Sequence, residues 1–252
     1  MESCYILHGG KEEKFMKIIC DLHMHSALSP CALNEMTPNN MVNMALLQEL
    51  TAIAVTDHNS CRNAEMVMKV AQGTGLVVVP GLEVQTREEV HVVTLFQKLE
   101  DALAMQEEVY AALPAMKAPA KVREKQQLLD DEDEIIGYEE KMLSMSCDMS
   151  LEKVAARAAA NHGLAIPAHI DRKSCSVLSN LGFIPTDLHF PTLELSMYAE
   201  KESYEKKYAQ EYRLITASDA HELGLIGMAP SELEVESVSA HGILQALSQS
   251  LL

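Results

Sequence analysis

Along this chain, short apolar runs rich in Ile, Val and Leu alternate with longer stretches whose apolar positions recur at helical spacing. Runs of the first kind read as buried strands and those of the second as amphipathic helices, so the alternation predicts βα units around a largely parallel sheet. Predicted strands cover residues 17–22, 51–56, 76–80, 90–96, 164–169, 192–196 and 213–218. Helices are expected between them. Thr37 is placed to cap one opened by Pro38, Ser60 to cap residues 61–72 with Gly73 beyond, and Ser150 to cap residues 151–161 with Gly163 beyond. A last helix is predicted over residues 240–251.

One segment breaks this rhythm. Residues 98–149 show no strand pattern; their composition turns to Glu, Lys, Gln, Met and Asp, Pro114 and Pro119 interrupt them, and residues 130–134 form an acidic run. The segment reads as a mostly helical insertion within one βα unit, packed outside the strands, with the acidic run a solvated face or loop. No internal repeat or low-complexity linker divides the chain. Residues 1–252 are therefore expected to form a single domain of the size of closed α/β barrels.

Charge narrows the partners. The chain has 20 Lys+Arg against 37 Asp+Glu, a formal charge of −17. Such a surface repels phosphate backbones and lacks the counterion-release energy that drives nucleic-acid binding, so long DNA or RNA is disfavoured unless a local basic patch overrides the average. No apolar stretch approaches the roughly 20 residues of a membrane span. The first residues, Met1 to Lys17, carry Glu12, Glu13 and Lys14 and offer no small-residue cleavage site after an apolar block. The expected location is the cytoplasm. Cys4, Cys20, Cys31, Cys61, Cys147 and Cys175 form no C-x-x-C pair, which fits reduced thiols better than a disulfide framework or a zinc knuckle.

The histidines change the picture most. His23, His25, His58, His91, His169 and His221 all fall within the predicted strands or at their ends, where barrel active sites form. In Asp21-Leu22-His23-Met24-His25-Ser26 the two imidazoles are two residues apart, which on an extended backbone points both to one side. The same spacing recurs in His169-Ile170-Asp171 and in Asp219-Ala220-His221, and Glu83 adds a carboxylate long enough to bridge two cations. Imidazoles with carboxylates and no thiolate cluster suit Mn, Fe or Zn in a hydrolytic site rather than a closed structural zinc site. His8, His162, His189 and His241 lack such a context.

Together, Asp21-Leu22-His23-Met24-His25-Ser26, Thr56-Asp57-His58-Asn59, Pro80-Gly81-Leu82-Glu83, His91, Pro167-Ala168-His169 and Ser218-Asp219-Ala220-His221 resemble the ordered motifs of the PHP (polymerase and histidinol phosphatase) family. The match runs from about Lys17 to about His221. The resemblance implies a distorted seven-stranded (β/α) barrel holding two or three divalent ions. It implies His23, His25, Glu83 and Asp219 on one ion, Glu83 bridging to a second with His91 and His169, and His58 with His221 on a third. This sequence departs from the pattern at the third ion. Where family members with a full cluster carry a His or Asp a few residues after the second His, this chain reads Ala27-Leu28-Ser29-Pro30-Cys31-Ala32. Cys31 is either a soft substitute ligand or an ordinary loop residue. Asp57 is either a ligand or a residue that orients a ligating His.

The expected activity is that of a metal-dependent phosphoesterase on a small phosphorylated metabolite, a phosphomonoester or nucleotide, using a hydroxide held between two cations. Asp57, His58 and His221 are the candidate catalytic residues. Arg172 and Lys173, which follow His169-Ile170-Asp171, are candidates for binding the substrate phosphate, with Arg62 a third. No G-x-S-x-G elbow, P-loop or dinucleotide fingerprint competes with this reading. The alternatives are a nuclease or phosphodiesterase acting on short oligonucleotides, a non-catalytic metal-binding accessory or regulatory module, and an amidohydrolase. The last would call for a bridging carbamylated Lys where this chain has Glu83. Glu194, near the end of a predicted strand, is a candidate to line the pocket, and its role is left open by the sequence.

Overall fold

The computed structural model describes residues 3–8 and 11–249, with side-chain environments from Phe15 to Gln249. The side chains of Cys4 and His8, the first residues read for a signal peptide and the final turn predicted up to Leu251 lie outside the described residues.

In chain order the elements are β1 (Ser3–His8), β2 (Lys11–Met24), α1 (Pro38–Leu47), β3 (Ala52–Val55), α2 (Ala64–Val70), β4 (Val77–Gln85), β5 (His91–Phe96) and α3 (Leu99–Ala112). Then follow α4 (Ala120–Arg123), β6 (Gln127–Leu129), β7 (Ile135–Tyr138), α5 (Leu151–Ala160), β8 (Gly163–Pro167), α6 (Val177–Asn180), β9 (Thr192–Ser196), α7 (Lys201–Tyr208), β10 (Arg213–Ala217), β11 (Ser231–Val235) and α8 (Ala240–Ser248). Every predicted strand has a counterpart; β1, β6, β7 and β11 are additional. β11 shows the alternation of a half-exposed strand, with Leu233 and Val235 buried and Glu232 and Glu234 exposed.

The main sheet runs β1-β2-β3-β4-β5-β8, with β11 paired antiparallel to β2. The sheet is mixed rather than largely parallel. β2, β3 and β4 are parallel, whereas β5 is antiparallel to both β4 and β8. Only residues 86–90 link β4 to β5, too short a connection for the crossover that parallel pairing needs. Reversing β5 brings its first residue, His91, to the end of the sheet where the other strands finish.

The sheet is open, so the expected closed seven-stranded barrel is corrected to a curled α/β sheet. β9 and β10 pair with each other in parallel, and among the described residues no ladder joins β9 to β8 or β10 to β2. Side chains capture the backbone donors at this seam. Glu194 Oε1 accepts from His169 N–H (3.1 Å), Asp171 Oδ1 from Ser196 N–H (2.7 Å) and Asp21 Oδ1 from Ser218 N–H (3.0 Å). A parallel bridge between Met24 and Ala220 is the main-chain tie across to β2.

Most strands are buried on both faces, which explains their unbroken apolar runs. Ile18, Cys20, Leu22, Val79, Val93 and Ile166 pack with Ile243, Leu244 and Leu247 of α8. Ile53, Val55, Val78, Leu82, Val92 and Phe96 pack with residues of α1, α2, α3 and α5. No helix among the described residues is long and apolar enough to cross a membrane.

Residues 98–149 depart from the helical expectation. α3 and the short α4 occupy the first half, but the second half is a β6–β7 hairpin followed by irregular chain to Met149. The acidic run forms the hairpin turn and is not merely solvated. Asp133 accepts from Asn39 N–H (3.0 Å) and from the Thr37 hydroxyl (2.7 Å), placing an anion at the N-terminus of α1, where the helix dipole favours it. Thr37 itself makes no cap bond. Ser60 does not cap either; it donates to Gln106 Oε1, and α2 begins only at Ala64. Ser150 caps α5 as expected, accepting from Lys153 N–H. The insertion also grips the loops that leave β2 and β3: Gln127 N–H donates to Ala27 O, and Asn59 Nδ2 donates to Leu143 O and Met145 O.

Candidate metal centre

The Asp-x-His-x-His stretch closes β2, and each polar residue in it has a different job. Asp21 is buried and accepts from Ser218 N–H and Gly227 N–H (2.9 Å), tying β2 to the loop that carries Asp219 and His221. His23 and His25 project together, as their two-residue spacing requires, with their Nε2 atoms 3.3 Å apart. Next, Asp57 at the end of β3 accepts from Ser26 N–H, Ser26 Oγ and Ser29 Oγ at 2.6 to 2.8 Å. Its carboxylate is spent on bracing this loop rather than on the cluster. Asp57 acts through Ser29, whose oxygen lies 2.9 Å from His25 Nδ1 and also accepts from His58 N–H.

Glu83 sits at the centre. A parallel bridge sets it beside His58, and its carboxylate lies 2.8 Å from His58 Nδ1, 2.8 Å from His91 Nδ1, 3.1 Å from His169 Nε2 and 3.3 Å from His23 Nε2. Asp219 Oδ1 lies 3.0 Å from His25 Nε2 and 3.3 Å from His23 Nε2. His169 and Asp219 adopt left-handed backbone conformations, with φ of 30° and 50°. That strain is held at His169 by the bond from its N–H to Glu194 and by its ring on Glu83.

The predicted set of His23, His25, His58, Glu83, His91, His169, Asp219 and His221 is thus brought together, and three groups within it could hold a metal ion: His23-His25-Asp219, His58-Glu83-His91 and His25-His58-His221. Two observations show that a cation fits. The Ser29 hydroxyl gives its proton to Asp57, so it accepts from His25 Nδ1–H, which leaves His25 Nε2 as a bare lone pair aimed at carboxylate oxygens of Asp219 and Glu83. Acceptor facing acceptor at 3.0 Å is a void for positive charge. In addition, the buried His58 Nδ1 and Glu83 Oε2 have no hydrogen-bond partner even though they face each other.

The electrostatics agree. Burial opposes ionisation of Glu83, but His91, His23 and His58 outweigh it and hold the carboxyl well below its usual range. Asp219 is likewise lowered, against its burial, by His23 and His25. Burial together with the neighbouring His221 and His58 keeps His25 well below the ordinary imidazole value, and hence neutral. His23 and His58 are raised well above it and His91 to about 9, because nearby carboxylates, Glu83 among them, overcome the burial of each ring. The carboxylates therefore gather protons where a cation would otherwise sit.

Glu194 is the residue whose role the sequence did not reveal. Its carboxylate lies 2.9 and 3.1 Å from His23 Nδ1, orienting that ring as carboxylates orient metal-ligating imidazoles. A carboxylate inside an otherwise apolar strand, at the middle of β9, is the one available signal. The remaining candidates divide. Arg172 Nη1 lies 2.8 Å from Asp219 Oδ2, at the rim of the cluster. Lys173 is exposed. Arg62 pairs with Glu139 of the insertion at 3.1 Å, and Asp171 is taken up by Ser196. His162, His189 and His241 are exposed. Cys31 lies 3.1 Å from His221, whose hydrogen bond, with that of His58, outweighs burial and brings the thiol down to about 6.

The sequence profile described as PHP domain matches residues 21–173, more than half of the chain. No curated protein matches the chain in sequence. Among solved structures, a lesion-specific endonuclease Q from Pyrococcus furiosus is similar with a TM-score of 0.71 at 19% identity, over 92% of this chain and 56% of that one. This chain thus spans little more than half the length of that endonuclease. A two-domain protein containing a predicted PHP-like metal-dependent phosphoesterase, from Bacteroides vulgatus, gives 0.57 at 15% identity over 93% of this chain and 63% of that one. An amidohydrolase from Chromobacterium violaceum, with bound sulfate and no metal, gives 0.59 at 17% identity over 92% and 98%. At these identities the likeness is one of fold.

Proposed function

Because the chain belongs to the PHP-domain family, we propose that it is a metal-dependent phosphoesterase that hydrolyses small phosphomonoesters. The observation that carries this reading is the lone pair of His25 Nε2 facing the unprotonated carboxylates of Asp219 and Glu83 inside a ring of imidazoles. His23, His25, Glu83 and Asp219 would hold one divalent ion; Glu83, His91 and His169 a second; His58 and His221 would serve a third. Bound there, such ions supply positive charge for a phosphoryl group and lower the pKa of water.

The chain's own residues do the rest. Glu194 fixes the His23 ring, and Asp57 acting through Ser29 fixes that of His25, so that neither ring has to reorganise during turnover. Arg172 is half paired with Asp219 at the rim, and its remaining guanidinium donors are free to form a fork with a phosphoryl oxygen. His58 and His221, beside the rim, would act as ligands of the third ion rather than as proton donors.

The amidohydrolase reading is disfavoured because Glu83 stands at the bridging position, with no Lys among the grouped side chains. A second reading, cleavage of a phosphodiester in nucleic acid, is raised by the fold likeness to endonuclease Q, one structure of which holds a 27-mer duplex with an abasic lesion at its active site. The net charge of −17 weighs against it.

The test is metal analysis of the purified protein together with phosphate release from nucleotides, sugar phosphates and amino-alcohol phosphates, with and without chelation. We expect at least two divalent ions per chain and release that chelation abolishes and Mn²⁺ restores. Release of phosphate by fully chelated protein would overturn the reading.

A further inference from the structure

His25, His58 and His221 bring ring nitrogens within 4.8 Å of one another at the rim of the cluster. A fourth donor stands beside them, since Cys31 Sγ lies 3.1 Å from His221 Nε2. His221 Nδ1 is 2.8 Å from Asp219 O, a carbonyl that can only accept, so Nδ1 carries the proton and Nε2 is the nitrogen presented to the sulfur. His58 turns its Nδ1 to Glu83 Oε2, 2.8 Å away, and its ring also hydrogen-bonds the Cys31 thiol.

The sulfur is held in place by the backbone. Ala32 N–H donates to Ser29 O at 3.0 Å, closing the turn around Cys31, and Leu33 N–H donates to His221 O at 2.8 Å, pinning that turn to the loop bearing His221. Ser29 is the same residue that orients His25 and takes the His58 N–H. The four side chains are therefore positioned by one braced network.

We propose that Cys31, as a thiolate, completes a cation site with His58 and His221, and that its sulfur makes this site favour zinc over manganese. The inference rests on the metal-dependent reading above and assigns a donor that reading lacks. The thiol proton leaves to solvent as the sulfur–metal bond forms, and no electron changes hands. Sulfur with imidazole suits zinc, whereas manganese prefers carboxylate, carbonyl and water oxygens.

Cobalt(II) reports a thiolate ligand directly through a near-ultraviolet sulfur-to-metal charge-transfer band, whatever the activity. Cobalt-loaded protein should show this band. Cys31→Ser and Cys31→Ala should lose it and bind about one equivalent of zinc fewer per chain, while circular dichroism remains that of the unaltered protein. Cys175→Ser is the control, because Cys175 adjoins His91 rather than His221, and it should keep the band. Retention of the band in both Cys31 variants, or its loss only in Cys175→Ser, would overturn the proposal. Cobalt binding without any charge-transfer band would overturn it while leaving the metal-dependent reading intact. Failure to bind cobalt at all would overturn both.

Discussion

At Glu83 a single carboxylate lies within 3.5 Å of His23, His25, His58, His91 and His169. An amide there keeps the shape but loses the charge and one acceptor oxygen. Glu83→Gln should therefore cut turnover by about a hundredfold or more and lower metal content at both main sites, measured by steady-state kinetics and metal analysis. Full turnover with full metal content would remove Glu83 from the bridging role. His91 supplies a second residue-level expectation. Its folded pKa of about 9 exceeds the ordinary 6.5, so in chelated protein its contribution to stability is complete below pH 6.5 and is lost as pH rises through 9. The Tm of chelated protein should fall across that window, whereas metal-loaded protein, whose imidazoles are held by ions rather than protons, should hold its Tm. A flat profile in the chelated protein would contradict the proton-gathering role of the carboxylates.

Glu83 is only as well placed as the strand that bears it. A Cβ on Gly81, two residues earlier in β4, would lie 2.6 Å from Thr94 O on β5 and 3.0 Å from a methyl of Leu95. The backbone oxygen cannot yield without moving β5, whose first residue is His91. Gly81→Ala is therefore expected to destabilise the protein by about 1–3 kcal/mol, read by denaturant unfolding. It should also weaken metal binding, because Glu83 and His91 sit on the two strands being forced apart. Unchanged stability would show that β4 and β5 are not in the close register described. The antiparallel β4–β5 pair was not evident from the apolar pattern. Both strands are buried on both faces, and direction leaves no mark on such a run; only the five residues between them exclude the parallel arrangement.

Over the whole molecule, the charge of −17 opposes a polyanion, while Arg172 at the rim can meet one phosphate. Mononucleotides and small metabolite phosphates should therefore be processed faster than single-stranded oligonucleotides at equal enzyme and Mn²⁺. Replacing Arg172 and Lys173 by Ala should raise KM for a phosphomonoester by about tenfold. Faster oligonucleotide degradation would put the nuclease reading first.

The sequence by itself determined what is short in range. Two His at a spacing of two share a face on any extended backbone, and that fixed the His23-His25 pair before any fold was known. The donor chemistry of imidazole with carboxylate likewise selected the cluster members. Tertiary structure decided what depends on distant partners. Asp133, not Thr37, occupies the N-terminus of α1 because the hairpin turn delivers an anion there. Glu194 reaches His23, and Cys31 reaches His221, across 171 and 190 residues of chain. No ladder flanks the β9–β10 pair; instead Asp171 and Glu194 take backbone donors between β8 and β9, and Asp21 takes one between β10 and β2. Periodicity and residue chemistry are properties of a few neighbouring positions, whereas each of these contacts depends on how separate segments pack, which no local pattern encodes.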